Sequence, residues 1–348
     1  MGCSTMHPVL FHVPGLGFPV RTFGALVACG ILLGIWLWGR LLARYGDDPQ
    51  KDPERGSQVA LWIVVGVLVG ARLMYVGVES ARYLSADVGA NVAAYLAAGA
   101  RGAPTALLTP EELALAHQVS VGYDFVHDPF KMLLIWQGGL VMYGGLAGGI
   151  LLGLHASRKH GLNPWNALDT ALVCGFVGLV LGRIGCLMVG DDYGRVVPES
   201  RADSWRPIAI ANGGEVGPLT IRVPDLEWLT ANTESLFDDG LAGKVLWATQ
   251  PWMSLNALLV ALAGWLWLRK RRHYGVPAAL MLIQYSLARF AIEVYRGDEV
   301  RGVWFGGRIS TSQIVSVLLF GLGLWLLARR RASPLVASPS AKGAAAKA

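Results

Sequence analysis

Six ionisable residues interrupt the long apolar stretches of this sequence: Arg72, Asp169, Arg183, Arg289, Glu293 and Arg296. A charge inside such a stretch costs roughly 2.5–3.5 kcal/mol on membrane-insertion scales, so the few that occur there should have a task. Arg72, Arg183 and Arg289 lie on three different stretches. A guanidinium stays charged when partly buried and offers N–H donors in a planar fork that matches phosphate oxygens. The three therefore read as a phosphate or phospholipid-headgroup site. Arg289, Glu293 and Arg296 are spaced i, i+4, i+7 and share one helix face. Each has a plainer reading. An Arg–Glu pair could be purely structural. Arg296, near a helix end, could snorkel to the interface. Asp169 suits a cap or an interfacial position.

Glycines surround these charges. Gly144, Gly145, Gly148 and Gly149 follow Tyr143, a spacing that lets helices approach closely. Gly182 and Gly185 flank Arg183, and Gly190 and Gly194 flank Asp191-Asp192-Tyr193. Gly190 and Gly194 are expected to break a helix and expose backbone groups that could bind an anion.

The elements that hold these residues follow from composition. Hydrophobic residues make up 53% of the 348 and charged ones 16%, against about 25% charged in a soluble domain. Mean hydropathy is +0.45. The expected fold is an all-α polytopic membrane protein with seven transmembrane helices and two extended periplasmic segments. The apolar runs lie near Phe23–Ala43, Gln58–Val78, Gly139–Ala156, Ala167–Met188, Met253–Leu268, Pro277–Tyr295 and Ser312–Ala328. Each is about long enough to cross 30 Å of hydrocarbon, the third and fifth being short. Basic clusters follow the first, third, fifth and seventh runs, at Arg40 to Arg55, Arg158-Lys159, Arg269 to Arg272 and Arg329 to Arg331. All fall on one face if the helices alternate, which puts the C-terminus in the cytoplasm and the N-terminus outside. Arg72, Arg183 and Arg289 then share an outer-leaflet depth.

The chain divides accordingly. Residues 1–78 hold the first two helices, 79–137 a periplasmic insertion, and 138–189 the third and fourth helices. Residues 190–251 form a periplasmic head segment, 252–331 the last three helices, and 332–348 a disordered cytoplasmic tail. Within the insertion, Thr109-Pro110-Glu111-Glu112 is a helix-start signal. In the head, Leu219–Val223 alternates like a short strand. The net charge of +6 sits at the ends of apolar runs rather than on one face, which argues against nucleic acid as a partner. Cys3, Cys29, Cys174 and Cys186 make no CxxC pair, so no zinc site or disulfide framework is supported. No cleavable apolar segment precedes Cys3, so the chain does not read as a lipoprotein precursor. No metal and no organic cofactor is suggested, and no transporter-type internal repeat is visible.

At these residues the sequence resembles the prolipoprotein diacylglyceryl transferases. Gly182-Arg183-Ile184-Gly185 through Gly194-Arg195 looks like the family signature. Gly138-Gly139-Leu140 leading to Tyr143-Gly144-Gly145-Leu146 matches in the third helix. Arg289-Phe290-Ala291-Ile292-Glu293-Val294-Tyr295-Arg296, with Ser310, Thr311 and Gln313, matches at the sixth and seventh, and Arg72 matches a family arginine. The resemblance covers most of the membrane core and not the external segments. It implies an enzyme of the bacterial inner membrane whose partners are phosphatidylglycerol, membrane lipid and lipobox-containing prolipoproteins. Such an enzyme moves a diacylglyceryl group to the lipobox cysteine thiol and releases glycerol phosphate. Arg183, Arg289 and Tyr143 would be catalytic, and Arg72, Glu293, Arg296, Asp191 and Gly194 would bind substrate. The chain departs from the family pattern at Phe23, Tyr143 (often His), Cys186 (usually Asn), Asp191 (usually Glu), Gln250-Pro251 and Leu255-Asn256. A relative that binds phospholipid without transferring it is the alternative. A transporter fits less well, because the inner half of the membrane core is nearly free of charge apart from Asp169.

Overall fold

The computed structural model describes residues 6–15, 19–98, 108–134, 138–197, 210–211, 215–216, 219–298, 302–304 and 309–332. The expected disordered tail lies almost wholly outside them. Ten α-helices are described: α1 Thr22–Tyr45, α2 Asp52–Ser85, α3 Ala90–Ala98, α4 Pro110–His127, α5 Met142–Lys159, α6 Pro164–Val189, α7 Leu226–Ala231, α8 Thr249–Arg269, α9 Val276–Glu293 and α10 Thr311–Arg331. The strands are short and pair two by two into antiparallel ribbons: β1 Val9–His12 with β2 Pro19–Arg21, β3 Ile210–Ala211 with β4 Glu215–Val216, β5 Thr220–Arg222 with β6 Val245–Trp247, and β7 Val303–Trp304 with β8 Ile309–Ser310.

A helix covers most of each of the seven apolar runs. Among the described residues, five helices are long and apolar enough to cross a membrane: α1, α2, α6, α8 and α10. The other two are α5, which carries His155, Arg158 and Lys159, and α9, which carries Arg289 and Glu293. Both have 18 residues, and their charged groups lower their mean hydropathy. Many large apolar side chains on these helices face outward, Leu32 at 68% and Leu61 at 64% exposure among them. Lipid is the solvent that such surfaces fit.

The chain forms two compact units. The first comprises residues 1–53 and 163–348. In it α1 packs on α6, α6 on α8, α8 on α9 and α9 on α10. The start of α6 is fixed by Asn163, whose side chain accepts from the N–H groups of Trp165 and Asn166, with Pro164 in the first turn. Its end is fixed by Gly190, in the left-handed region at φ 80°. Asp169 is a cap, as expected, but of a neighbouring helix. Its carboxylate accepts from the N–H groups of Gly275 (2.8 Å) and Ala278 (2.9 Å) at the start of α9. Arg271 donates to Asn166 beside it, at 2.8 Å. The head has a small core of its own, with Met6, Val223, Leu229, Phe237 and Leu246 buried together. The strand expected near Leu219–Val223 is β5.

The second unit, residues 54–162, contains nearly all of α2 together with α3, α4 and α5. Here the glycine spacing works as the sequence suggests. A Cβ on Gly144 would overlap the Gly70 carbonyl, and one on Gly148 the Gly66 carbonyl, so α2 and α5 touch backbone to backbone. The start of α4 is a full capping box, with the Thr109 hydroxyl accepting from Glu112 N–H and the Glu112 carboxylate accepting from Thr109 N–H. The Thr109 N–H and the Thr109 hydroxyl, both donating to the carboxylate, hold the Glu112 carboxyl below its usual range.

Candidate active site

The charged site of the first unit is assembled where three helices end. Arg183 stands in the penultimate turn of α6, Arg289 and Glu293 close α9, and Arg296 follows three residues later. Arg183, Arg289 and Glu293 are buried, Glu293 to 1% exposure. Arg289 pairs with Glu293 through Nη1 and donates through Nη2 to Ser312 Oγ at 3.0 Å. Arg183 pairs with Asp192, and Arg296 pairs with the other oxygen of the same carboxylate. Arg296 also donates to Asp298 at 2.7 Å and lies 3.9 Å from Glu293. Arg296 therefore turns inward onto carboxylates rather than snorkelling to water. In these ion pairs three guanidiniums meet three carboxylates, those of Asp192, Glu293 and Asp298. Among the described residues, Arg183 Nε and Glu293 Oε1 of the cluster are buried without a hydrogen-bond partner. An unpaired buried donor or acceptor is costly, so each could serve a polar ligand.

The loop after α6 carries Asp191 and Asp192 into this cluster. Asp192 has a left-handed backbone at φ 55°, a region that Asp tolerates better than most residues. The first turn of α8 holds the loop. Thr249 Oγ1 donates to the Asp192 carbonyl at 2.8 Å and Gln250 Nε2 to the Asp191 carbonyl at 2.9 Å. Burial would raise the Asp192 carboxyl, but the guanidiniums of Arg183 and Arg296 outweigh it and leave it below its usual range. Asp191 goes the other way. Burial and the neighbouring Asp192 charge raise it, and its carboxylate forms no ion pair among the described residues. It accepts the Asp192 N–H at 2.8 Å. Gly194 helps to shape the loop. Its backbone pairs with Arg296, and a Cβ would overlap the Trp247 carbonyl.

Two of the departures noted in the sequence border this cluster. The Cys186 sulfur lies 3.9 Å from Arg183 Nη1. Phe23 packs its ring against Gly185 of the signature. An apolar cavity of about 300 Å³ opens beside Arg183, between Val180, Ile184 and Leu187 of α6 and Pro251, Leu255 and Leu258 of α8. A guanidinium at the end of an apolar groove suits an amphiphile with an anionic head.

Arg183, Arg289, Glu293, Arg296, Asp191 and Gly194 are thus brought together. Arg72 and Tyr143 belong to the second unit. Tyr143 is half-buried in the first turn of α5, with no hydrogen bond to its hydroxyl among the described residues. Arg72 is buried, and its N–H groups are taken by backbone carbonyls of its own unit. Asp192, Asp298, Ser312 and Thr249 were not singled out from the sequence. Asp192 was visible only as part of the motif, and Asp298 only as a carboxylate two residues past Arg296.

Helices of spanning length, a buried arginine–carboxylate cluster at their ends and an apolar groove beside it define a multi-pass membrane protein built to handle an anionic amphiphile. The chain belongs to the prolipoprotein diacylglyceryl transferase family, whose model matches residues 8–102 and 113–329. It is similar to proteins named phosphatidylglycerol–prolipoprotein diacylglyceryl transferase from several bacteria. The one from Rhodospirillum centenum is 25% identical over 93% of this chain and 92% of its own length. The Thermus thermophilus protein is 30% identical over 89% and 94%, respectively. The Allorhizobium ampelinum protein is 24% identical over 92% and 89%.

Proposed function

We propose that this protein transfers the sn-1,2-diacylglyceryl group of phosphatidylglycerol to the lipobox cysteine of prolipoproteins, leaving a thioether and glycerol phosphate. Family membership and the names of the relatives support transfer over the binding-only alternative. The observation that carries the site is the Asp192 carboxylate shared by Arg183 and Arg296 beside an apolar groove. An acyl chain lies along α6 and α8 in this reading, and the phosphodiester takes over the guanidinium donors that Asp192 holds.

The thiolate sulfur of the precursor attacks the glyceryl carbon that bears the phosphate. The S–C bond forms as the C–O bond breaks, and both electrons of that bond leave with glycerol phosphate. Arg183 and Arg289 stabilise the charge that grows on the departing phosphate oxygen. Arg296 and Glu293 hold their geometry. The thiol, ordinarily near pKa 8.5, must lose its proton first. Tyr143 is assigned a catalytic role by the family pattern alone. Seven spans, an external N-terminus and a cytoplasmic C-terminus in the bacterial inner membrane complete the reading, supported by the seven helices and the four basic clusters.

The test is transfer in proteoliposomes containing phosphatidylglycerol and a lipobox peptide, read by mass spectrometry. A diacylglyceryl adduct on the peptide cysteine that is lost in Arg183→Ala supports the reading. Folded, inserted protein that yields no adduct sinks it.

A further inference from the structure

Arg72 is a buried cation with no carboxylate beside it among the described residues. Its guanidinium faces backbone oxygens instead. Nε donates to the Met132 carbonyl at 2.8 Å. Nη1 donates to Gly138 at 2.6 Å and Gly139 at 3.2 Å. Nη2 donates to Lys131 at 2.9 Å and Leu134 at 3.3 Å. A guanidinium has five N–H groups, and here five carbonyls accept from it. No donor is left for a headgroup. The rings of Phe125 and Tyr75 flank the cation at 5.2 and 5.7 Å.

These carbonyls belong to a piece of chain with no α-helical ladder of its own. A 3-10 turn spans Pro129–Leu133, and Gly138 and Gly139 both have left-handed backbones, at φ 87° and 76°. Depth is the second observation. Arg72 is roughly 21 Å along α2 from Gln58, where the apolar run begins, at 1.5 Å per residue. Beyond it the helix still shows apolar surface, with Leu73 at 63% and Val78 at 42% exposure. The carbonyls that bond Arg72 therefore sit below the level where α2 leaves hydrocarbon. Irregular backbone survives at that depth only where its polar groups are satisfied; Arg72 donates to five of these carbonyls, and the Lys131 carbonyl also accepts from Leu134 N–H. On the far side of the turn Phe130 and Leu133 are exposed to 79% and 69%. The one charged side chain of the turn, Lys131, reaches back to Asp124 of α4 at 2.9 Å.

We propose that Pro129–Leu133 is a re-entrant turn that dips Phe130 and Leu133 into the outer-leaflet acyl region, and that Arg72 is the clamp that holds it there. This replaces headgroup binding as the task of Arg72 and does not depend on the transfer reaction. The occupant of the exposed face is lipid, because the bonds to α2 fix the turn at a lipid-facing depth.

The test places an environment-sensitive fluorophore at Phe130→Cys in the full chain, with Cys3, Cys29, Cys174 and Cys186 changed to alanine. The protein is reconstituted in phosphatidylglycerol–phosphatidylethanolamine vesicles. Quenching by nitroxide attached to the acyl chains should exceed quenching by aqueous iodide several-fold. The same label at Glu111→Cys, exposed in the first turn of α4, should show the reverse. In Arg72→Ala, and in the milder Arg72→Lys, the Phe130 label should become accessible to iodide while α2 stays inserted. An iodide-accessible label with Arg72 intact overturns the proposal. So does a label shielded from both quenchers, which would mean a protein contact. A label that stays in lipid after both Arg72 substitutions overturns the clamp.

Discussion

Asp192 accepts from Arg183 and Arg296 at once, from a loop pinned by Thr249 and Gln250. In the proposed reading its carboxylate holds the guanidinium donors that a phosphodiester would take over. Asp192→Asn keeps the shape and removes the competing charge, so the KM for phosphatidylglycerol should fall several-fold in mixed-micelle kinetics. Asp192→Ala should cost about 3–5 kcal/mol of stability, because it removes the carboxylate that the buried Arg183 pairs with; thermal unfolding in detergent would read this. The depressed Asp192 carboxyl also sets a pH dependence. Its stabilisation is complete above the unfolded value of about 4 and is lost as pH falls through the lower folded value. Thermal stability should therefore drop on the acid side, and Asp192→Asn should flatten that drop. A chemical-denaturation series from pH 6 downward checks it. The arginines of this site were legible in the sequence because a charge inside an apolar run is expensive. Asp192, Asp298 and Ser312 were not, because they lie where charge and polarity are cheap. Arg72 was legible as a cation with a task, but its partners are backbone carbonyls, which leave no trace in side-chain identity.

At the level of elements, the seven apolar runs marked seven helices, and most of their ends were read short, although the runs from Gly139 and to Tyr295 overreach α5 and α9. The run Gln58–Val78 belongs to a helix that extends over Asp52–Ser85. Hydropathy reports only the part that meets lipid, whereas the backbone ladder continues through polar turns. The glycines were easier to read, since a small residue at each close approach is a steric demand. Gly148→Ala would press a methyl group into the Gly66 carbonyl. It should destabilise the second unit by about 1–3 kcal/mol, measured as a shift in thermal unfolding, whereas Gly77→Ala, with open space around it, should be near neutral. Asp169 was legible as a cap from its position near a helix end. That it caps α9 rather than its own helix follows from packing. Asp169→Ala should cost about 0.5–2 kcal/mol, the range for a lost cap.

For the molecule as a whole, basic residues stand in the last turns of α1, α5, α8 and α10. A reporter fused after Arg331 should be active in the cytoplasm and silent outside; the opposite result would reverse the orientation. The pairing of the cluster's arginines with carboxylates bears on turnover. Phosphatidylglycerol arrives with one negative charge, and glycerol phosphate departs with about −1.5 to −2 at neutral pH. Bare arginines would grip that product harder than the substrate and stall the cycle. Asp192 stands ready to reclaim its two partners the moment the diester is cleaved, so the same carboxylate that weakens entry shortens the product's residence time. Wild-type protein should be poorly inhibited by added glycerol phosphate, and Asp192→Asn should be inhibited strongly.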